Sequence, residues 1–128
     1  MTILVADDDK VHVHLLTALL KKRGFSVSIA YDGLQAWSTA LRSRPEAIIL
    51  DIHMPAGTGF EVLRKLKTST KTSQIPVIVL SGSVNADEIV TIETLGADRF
   101  LQKPADLEQL FDALGGLLNL TRGTSEVA

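Results

Sequence analysis

The chain has no cysteine among its 128 residues. That excludes a disulfide framework, a thiol nucleophile and any zinc site built on thiolates. Nor is there an apolar run near the roughly 18 residues that a membrane helix needs, so no membrane partner is expected. The start MTILVADDDK puts aspartates where a signal peptide would carry its apolar region, and an unprocessed, cytoplasmic protein is expected. An excess of one charge is missing too: 13 Lys and Arg against 15 Asp and Glu leave a formal net charge of -2. Such a balance gives no basic field for direct nucleic-acid binding and no acidic disordered tail. Glycine-rich phosphate loops and G-x-S-x-G elbows are also absent, which leaves P-loop nucleotide binding and serine-hydrolase chemistry without support. What remains, at 45% hydrophobic and 22% charged residues, is the composition of one globular domain. A chain of this length buries about two thirds of its unfolded surface without staples.

Short β-branched runs alternate with amphipathic stretches, the pattern of βα units winding a parallel sheet. Thr2 to Ala6 (TILVA) is an apolar strand too short for a helix. After Asp9, the residues Val11, Leu15, Leu16, Leu19 and Leu20 recur at helical spacing until Lys21, Lys22, Arg23 and Gly24 stop the helix. Ser26 to Ala30 alternates as a second strand, and Tyr31-Asp32-Gly33 turns into a helix holding Leu34, Ala36, Trp37, Ala40 and Leu41. Ala47 to Leu50 (AIIL) is apolar throughout, as in a strand covered on both faces, and Phe60, Leu63 and Leu66 mark the third helix. Pro76 to Leu80 (PVIVL) is the fourth strand, Ala86 to Leu95 a helix with few apolar anchors, and Arg99 to Gln102 the fifth strand. Leu107, Leu110, Phe111, Leu114, Leu117 and Leu118 form the strongest amphipathic helix. The predicted fold class is α/β, a doubly wound, five-stranded parallel sheet.

In such a sheet, ligands bind beyond the carboxyl ends of the strands. There the sequence puts Asp7, Asp8 and Asp9 after the first strand, Asp51 after the third, Ser81 after the fourth, and Lys103 with Pro104 after the fifth. If the order is flavodoxin-like, with first and third strands adjacent, these groups converge on one edge. Clustered carboxylates repel unless a cation compensates. Mg2+, with Mn2+ as a substitute, prefers oxygen ligands and is held by one or two carboxylates plus phosphate oxygens, which suits Asp8 and Asp51 directly and Asp7 through water. An aspartate beside such an ion, a lysine and a hydroxyl can be a nucleophile toward phosphorus. Asp9 is expected to cap the first helix, and Tyr31 and Asp32 have no evident role.

The segments ILVADDD (3–9), DIHMPAGTGFEVL (51–63), PVIVLSG (76–82) and GADRFLQKP (96–104) together resemble the receiver domain of a two-component response regulator. Four motifs in one order and phase are far more specific than any one alone. The resemblance implies a flavodoxin-like (βα)5 domain over residues 1–120 with strand order 2-1-3-4-5; the apolar spacing stops after Leu120, and the polar, small residues 121–128 are expected to be a flexible tail or linker stub. It implies that Asp51 accepts a phosphoryl group from a histidine kinase or a histidine phosphotransfer protein. By the same resemblance, Asp7 and Asp8 hold magnesium with Asp51 and the backbone carbonyl of His53. Ser81 binds the phosphoryl group, small Gly82 leaves it accessible, and Lys103 pairs with a phosphoryl oxygen, with the Lys103-Pro104 bond cis. Phe100 takes the place of the family's rotating aromatic switch. The signal would pass to the face of the fourth helix, fifth strand and fifth helix, which would address an effector protein or a tethered output domain and could support a homodimer. Catalysis would be limited to self-phosphorylation and autodephosphorylation.

His12 and His14 flank Val13 and share no helical face, so both are expected on ordinary helix surface. His53 and Ser83 lie two residues past Asp51 and Ser81, where they are expected to tune the lifetime of the phosphorylated state. Two alternatives stand beside the switch. A magnesium-dependent aspartyl-phosphate phosphohydrolase would carry an acid where this chain has His53, and a receiver-like scaffold would act without phosphate.

Overall fold

The structure, a computed structural model, describes residues 1–54, 59–104 and 106–122. Strands and helices alternate in the order β1 (Thr2–Ala6), α1 (Lys10–Lys22), β2 (Ser26–Ala30), α2 (Gly33–Ser43), β3 (Ala47–Leu50), α3 (Gly59–Thr68), β4 (Val77–Ser81), α4 (Ala86–Thr94), β5 (Arg99–Gln102) and α5 (Leu107–Arg122). The strands form one parallel sheet in the order β2-β1-β3-β4-β5, as expected. Within each strand the side chains alternate between two apolar layers. Leu4, Ala6, Ile48, Leu50, Val77 and Val79 belong to one core cluster with residues of α2, α3 and α4. Ile3, Val5, Ala47, Ile49, Ile78 and Leu80 belong to the other, with residues of α1 and α5. The central strands β3 and β4 are buried along their whole length, which explains why their sequences show no polar alternation.

Helix ends are specified locally. Asp9 caps α1 by accepting from the amides of Val11 and His12, and Asp32, without a role in the sequence reading, caps α2 through the Gln35 amide. Asn85 and Glu88 form a reciprocal capping box at α4. Gly24 ends α1 at φ 91°, a left-handed conformation that carries no penalty without a Cβ.

Three expectations change. The apolar stripe of α1 is Val13, Leu16 and Leu20, whereas Val11 and Leu15 are 80% and 56% exposed. The spacing of three and four from Val13 and Leu16 places one face on the sheet and turns the other two outward. The fourth strand begins at Val77 and includes Ser81, which pairs with Gln102. Proline has no amide to give to the ladder, and it is the Pro76 carbonyl that accepts from Ile48. Finally, α5 continues to Arg122, past the point where the apolar spacing stops. Residues 55–58, and the part of the expected tail beyond residue 122, lie outside the described residues. Among the described residues, no helix is long and apolar enough to cross a membrane.

Candidate functional site

The parallel sheet delivers Asp7, Asp51, Ser81 and Lys103 to the same edge because the strands that precede them run side by side. Asp51 is held from several sides. Its Oδ1 accepts from the Ser81 hydroxyl at 2.7 Å and from the His53 amide at 3.0 Å, and its Oδ2 faces the Lys103 ammonium at 3.2 Å. Asp7 Oδ2 accepts from Lys103 Nζ at 2.7 Å, and Asp7 Oδ1 accepts from the Asp9 amide at 3.0 Å. Ser81, Asp7 and Asp51 are buried, while Asp8 is exposed. One carboxylate oxygen from each of Asp7, Asp8 and Asp51 falls within a cluster no wider than 4.8 Å. Three carboxylates against one ammonium leave net negative charge at an oxygen-only donor set, which fits a hard divalent cation.

Charge and hydrogen bonding outweigh burial here. Burial pushes the Asp7 carboxyl up, but the bonds from Lys103, the Asp9 amide and His12, with the charge of Lys103, hold it below its ordinary 3.8. Burial pushes the Lys103 ammonium down, and Asp7 and Asp51 together raise it above its ordinary 10.5. The pair is thus ionised across the physiological range.

His53 lies at the mouth. Its Nε2 donates to the Ser83 carbonyl at 2.9 Å, stands 3.7 Å from Glu88 Oε2, and its ring meets Phe60 edge-on at 6.5 Å. His53 and Ser83 are therefore joined, through the backbone of Ser83. Gly82 carries no side chain beside Ser81, and a Cβ there would meet nothing within 4 Å. The Lys103-Pro104 peptide is cis. Phe100 stands apart from the acidic cluster, in register with Val79 and packed half-buried against the α2–α4 core. It lines a surface cavity of about 440 Å³ with Glu93, Ala97, Asp98 and Arg99.

One residue was misplaced by the sequence reading. His12 is not ordinary helix surface: its Nδ1 lies 2.8 Å from Asp7 Oδ2. A side chain three residues into a helix can reach back over the cap to the preceding strand end, and that position was the available signal. Glu88 was missed as well, since a capping residue gives no hint of a neighbouring His from another loop.

A doubly wound parallel sheet with clustered acids, a hydroxyl and a lysine at its carboxyl edge defines an α/β protein of flavodoxin-like topology with its polar groups where such sheets bind ligands. Within that class the comparison with known families is specific: the response regulator receiver domain family matches residues 3–115, and this chain belongs to it. The response regulator MprA of Mycobacterium avium is 37% identical over 122 residues, covering 95% of this chain and 53% of that protein. The chain thus spans about half the length of the curated relatives it matches. Among solved structures, a response regulator receiver protein from Pseudomonas putida superposes with a TM-score of 0.83 at 30% identity, covering 90% of this chain and 95% of that one. A CheY-like receiver domain protein from Methanospirillum hungatei gives 0.89 at 22% identity, covering 94% and 95%, a likeness of fold.

Proposed function

We propose that this receiver is a phospho-acceptor switch in a two-component phosphorelay, with Asp51 as the acceptor. One observation carries the proposal: Asp51 is buried at 7% exposure, yet its carboxylate is met by Ser81, the His53 amide and Lys103, and flanked by Asp7 and Asp8. In the transfer, an Asp51 oxygen attacks phosphorus on a phosphohistidine of a kinase or phosphotransfer protein. The P–N bond breaks, the imidazole leaves, and a new O–P bond makes an acyl phosphate. Lys103 meets the charge on the phosphoryl oxygens, and the Ser81 hydroxyl turns from Asp51 to donate to one of them. Asp8, Asp51 and the His53 carbonyl would hold Mg2+ or Mn2+ directly and Asp7 through water. When bound, the ion neutralises charge on the transferred group.

Movement of Ser81 toward the phosphoryl group, with Phe100 following, shifts α4, β5 and α5 between two arrangements already in equilibrium. α4 suits that role, because Ile92 is its one buried residue. The face so altered addresses an effector protein or a tethered output domain in the cytoplasm, and a homodimer is one assembly it can support. His53 and Ser83, joined across the mouth, set the lifetime of the acyl phosphate.

The test is incubation with a small acyl or amido phosphodonor, with and without magnesium, following intact mass and released phosphate together. One phosphoryl group per chain, dependent on magnesium and lost slowly, supports the switch. Continued turnover of phosphate esters would instead indicate a phosphohydrolase.

A further inference from the structure

The first turn of α1 and the end of β1 are tied into a closed network around Asp7. The Asp9 carboxylate accepts from the His12 amide at 3.1 Å, the Asp9 amide donates to Asp7 Oδ1 at 3.0 Å, and His12 Nδ1 meets Asp7 Oδ2 at 2.8 Å. Both Asp7 oxygens are therefore held from α1, on an element fixed by its own cap. Because an ionised carboxylate only accepts, the imidazole is the donor in this contact and Nδ1 carries hydrogen. Lys103 shares the same Asp7 oxygen, at 2.7 Å, and reaches Asp51 at 3.2 Å. His12 and Lys103 line one cleft of about 420 Å³ between α1 and the start of α5, together with Pro104 and Leu107.

We propose that His12 is a positioning residue for Asp7, holding its carboxylate toward the divalent cation both before transfer and when Lys103 is drawn to the phosphoryl group. This rests on the phospho-acceptor reading above. Lys103 cannot serve Asp7 and a phosphorylated Asp51 with undiminished strength, since the charge it neutralises shifts outward on transfer. His12 can, because its ring bonds Asp7 and it sits on the helix rather than on the β5 loop. The arrangement also gives Asp7 an outer role: with both oxygens engaged by protein donors, it orients water on the cation. Groups that orient ligands in this way typically change metal affinity by about tenfold or more when removed.

The experiment is calorimetric titration of the full chain with MgCl2, alone and as His12→Leu and His12→Asn, with thermal midpoints measured separately without magnesium. Asn places an amide N–H near the position of Nδ1, and Leu removes the donor. His12→Leu is expected to weaken magnesium binding by about tenfold, and His12→Asn to restore most of the affinity. A purely structural role would shift the thermal midpoint without this difference in affinity. If His12→Leu binds as tightly as the normal chain, or His12→Asn as weakly as His12→Leu, the proposal is wrong. Should His12→Leu not fold, His12→Ala makes the same deletion at a side chain already 26% exposed. A normal chain that binds no magnesium would overturn the cation reading itself, a result separable from failure of the His12 claim alone.

Discussion

Replacing Lys103 with Met keeps the aliphatic stem and removes the charge that lies between Asp7 at 2.7 Å and Asp51 at 3.2 Å. Removing one partner of a buried ion pair costs about 3–5 kcal/mol, because a charge is left unpaired. The Lys103 side chain is 21% exposed, against 4% for Asp7, so solvent screens part of that cost and about 2 kcal/mol remains. For a domain of this size that corresponds to a fall in Tm of about 8 °C in magnesium-free buffer at neutral pH. The pH dependence gives the argument its sign. Asp7 is held below 3.8, so its contribution is present above that value and is lost as pH falls through the lower, folded value. Lys103 is held above 10.5, so its contribution is full below that value and is lost as pH rises through the higher, folded value. The difference between the normal chain and Lys103→Met should therefore be a plateau between these limits, closing in acid and again in strong alkali. Urea unfolding followed by circular dichroism across pH measures it. A difference of the same size in acid, where Asp7 is protonated, would mean that Lys103 acts through packing and would refute the electrostatic account.

A Cβ on Gly59 would lie 2.3 Å from the Ile52 Cα and 2.5 Å from the Ile52 carbonyl oxygen, both backbone atoms. Gly59→Ala should thus cost about 3 kcal/mol or more, the upper end of overpacking penalties, read as a lower denaturation midpoint. Asp8→Asn removes one of three clustered carboxylates and should weaken magnesium binding at least tenfold, as calorimetric titration with MgCl2 would show. His53→Ala unties the bond to the Ser83 carbonyl at the mouth and should hasten decay of the acyl phosphate; an unchanged decay rate would remove His53 from lifetime control.

The sheet was legible because each strand is a short apolar run, and because buried parallel strands such as AIIL lack the polar alternation that would mark an open face. The polar edge was legible for a related reason: Asp7, Asp51 and Lys103 directly follow strands, and Ser81 ends one, so strand position alone brings them together. The phase of α1 was harder to read. Six valines and leucines from Val11 to Leu20 permit more than one stripe, and only docking on the sheet selects Val13, Leu16 and Leu20. His12 was misjudged because spacing within a helix says nothing of contacts made beyond its cap. The link from His53 to Ser83 and Glu88 spans thirty residues and more of sequence, and it follows from loops at adjacent strand ends rather than from any local pattern.

The central claim is that Asp51 itself takes the phosphoryl group. Its most direct test is the intact mass of the chain and of Asp51→Asn after incubation with a small phosphodonor and magnesium. The account predicts one phosphoryl group on the normal chain and none on Asp51→Asn, with both chains equally folded by circular dichroism. Equal labelling of the two, or a normal chain that stays bare both with the donor and with a phosphorylated histidine kinase, would contradict it.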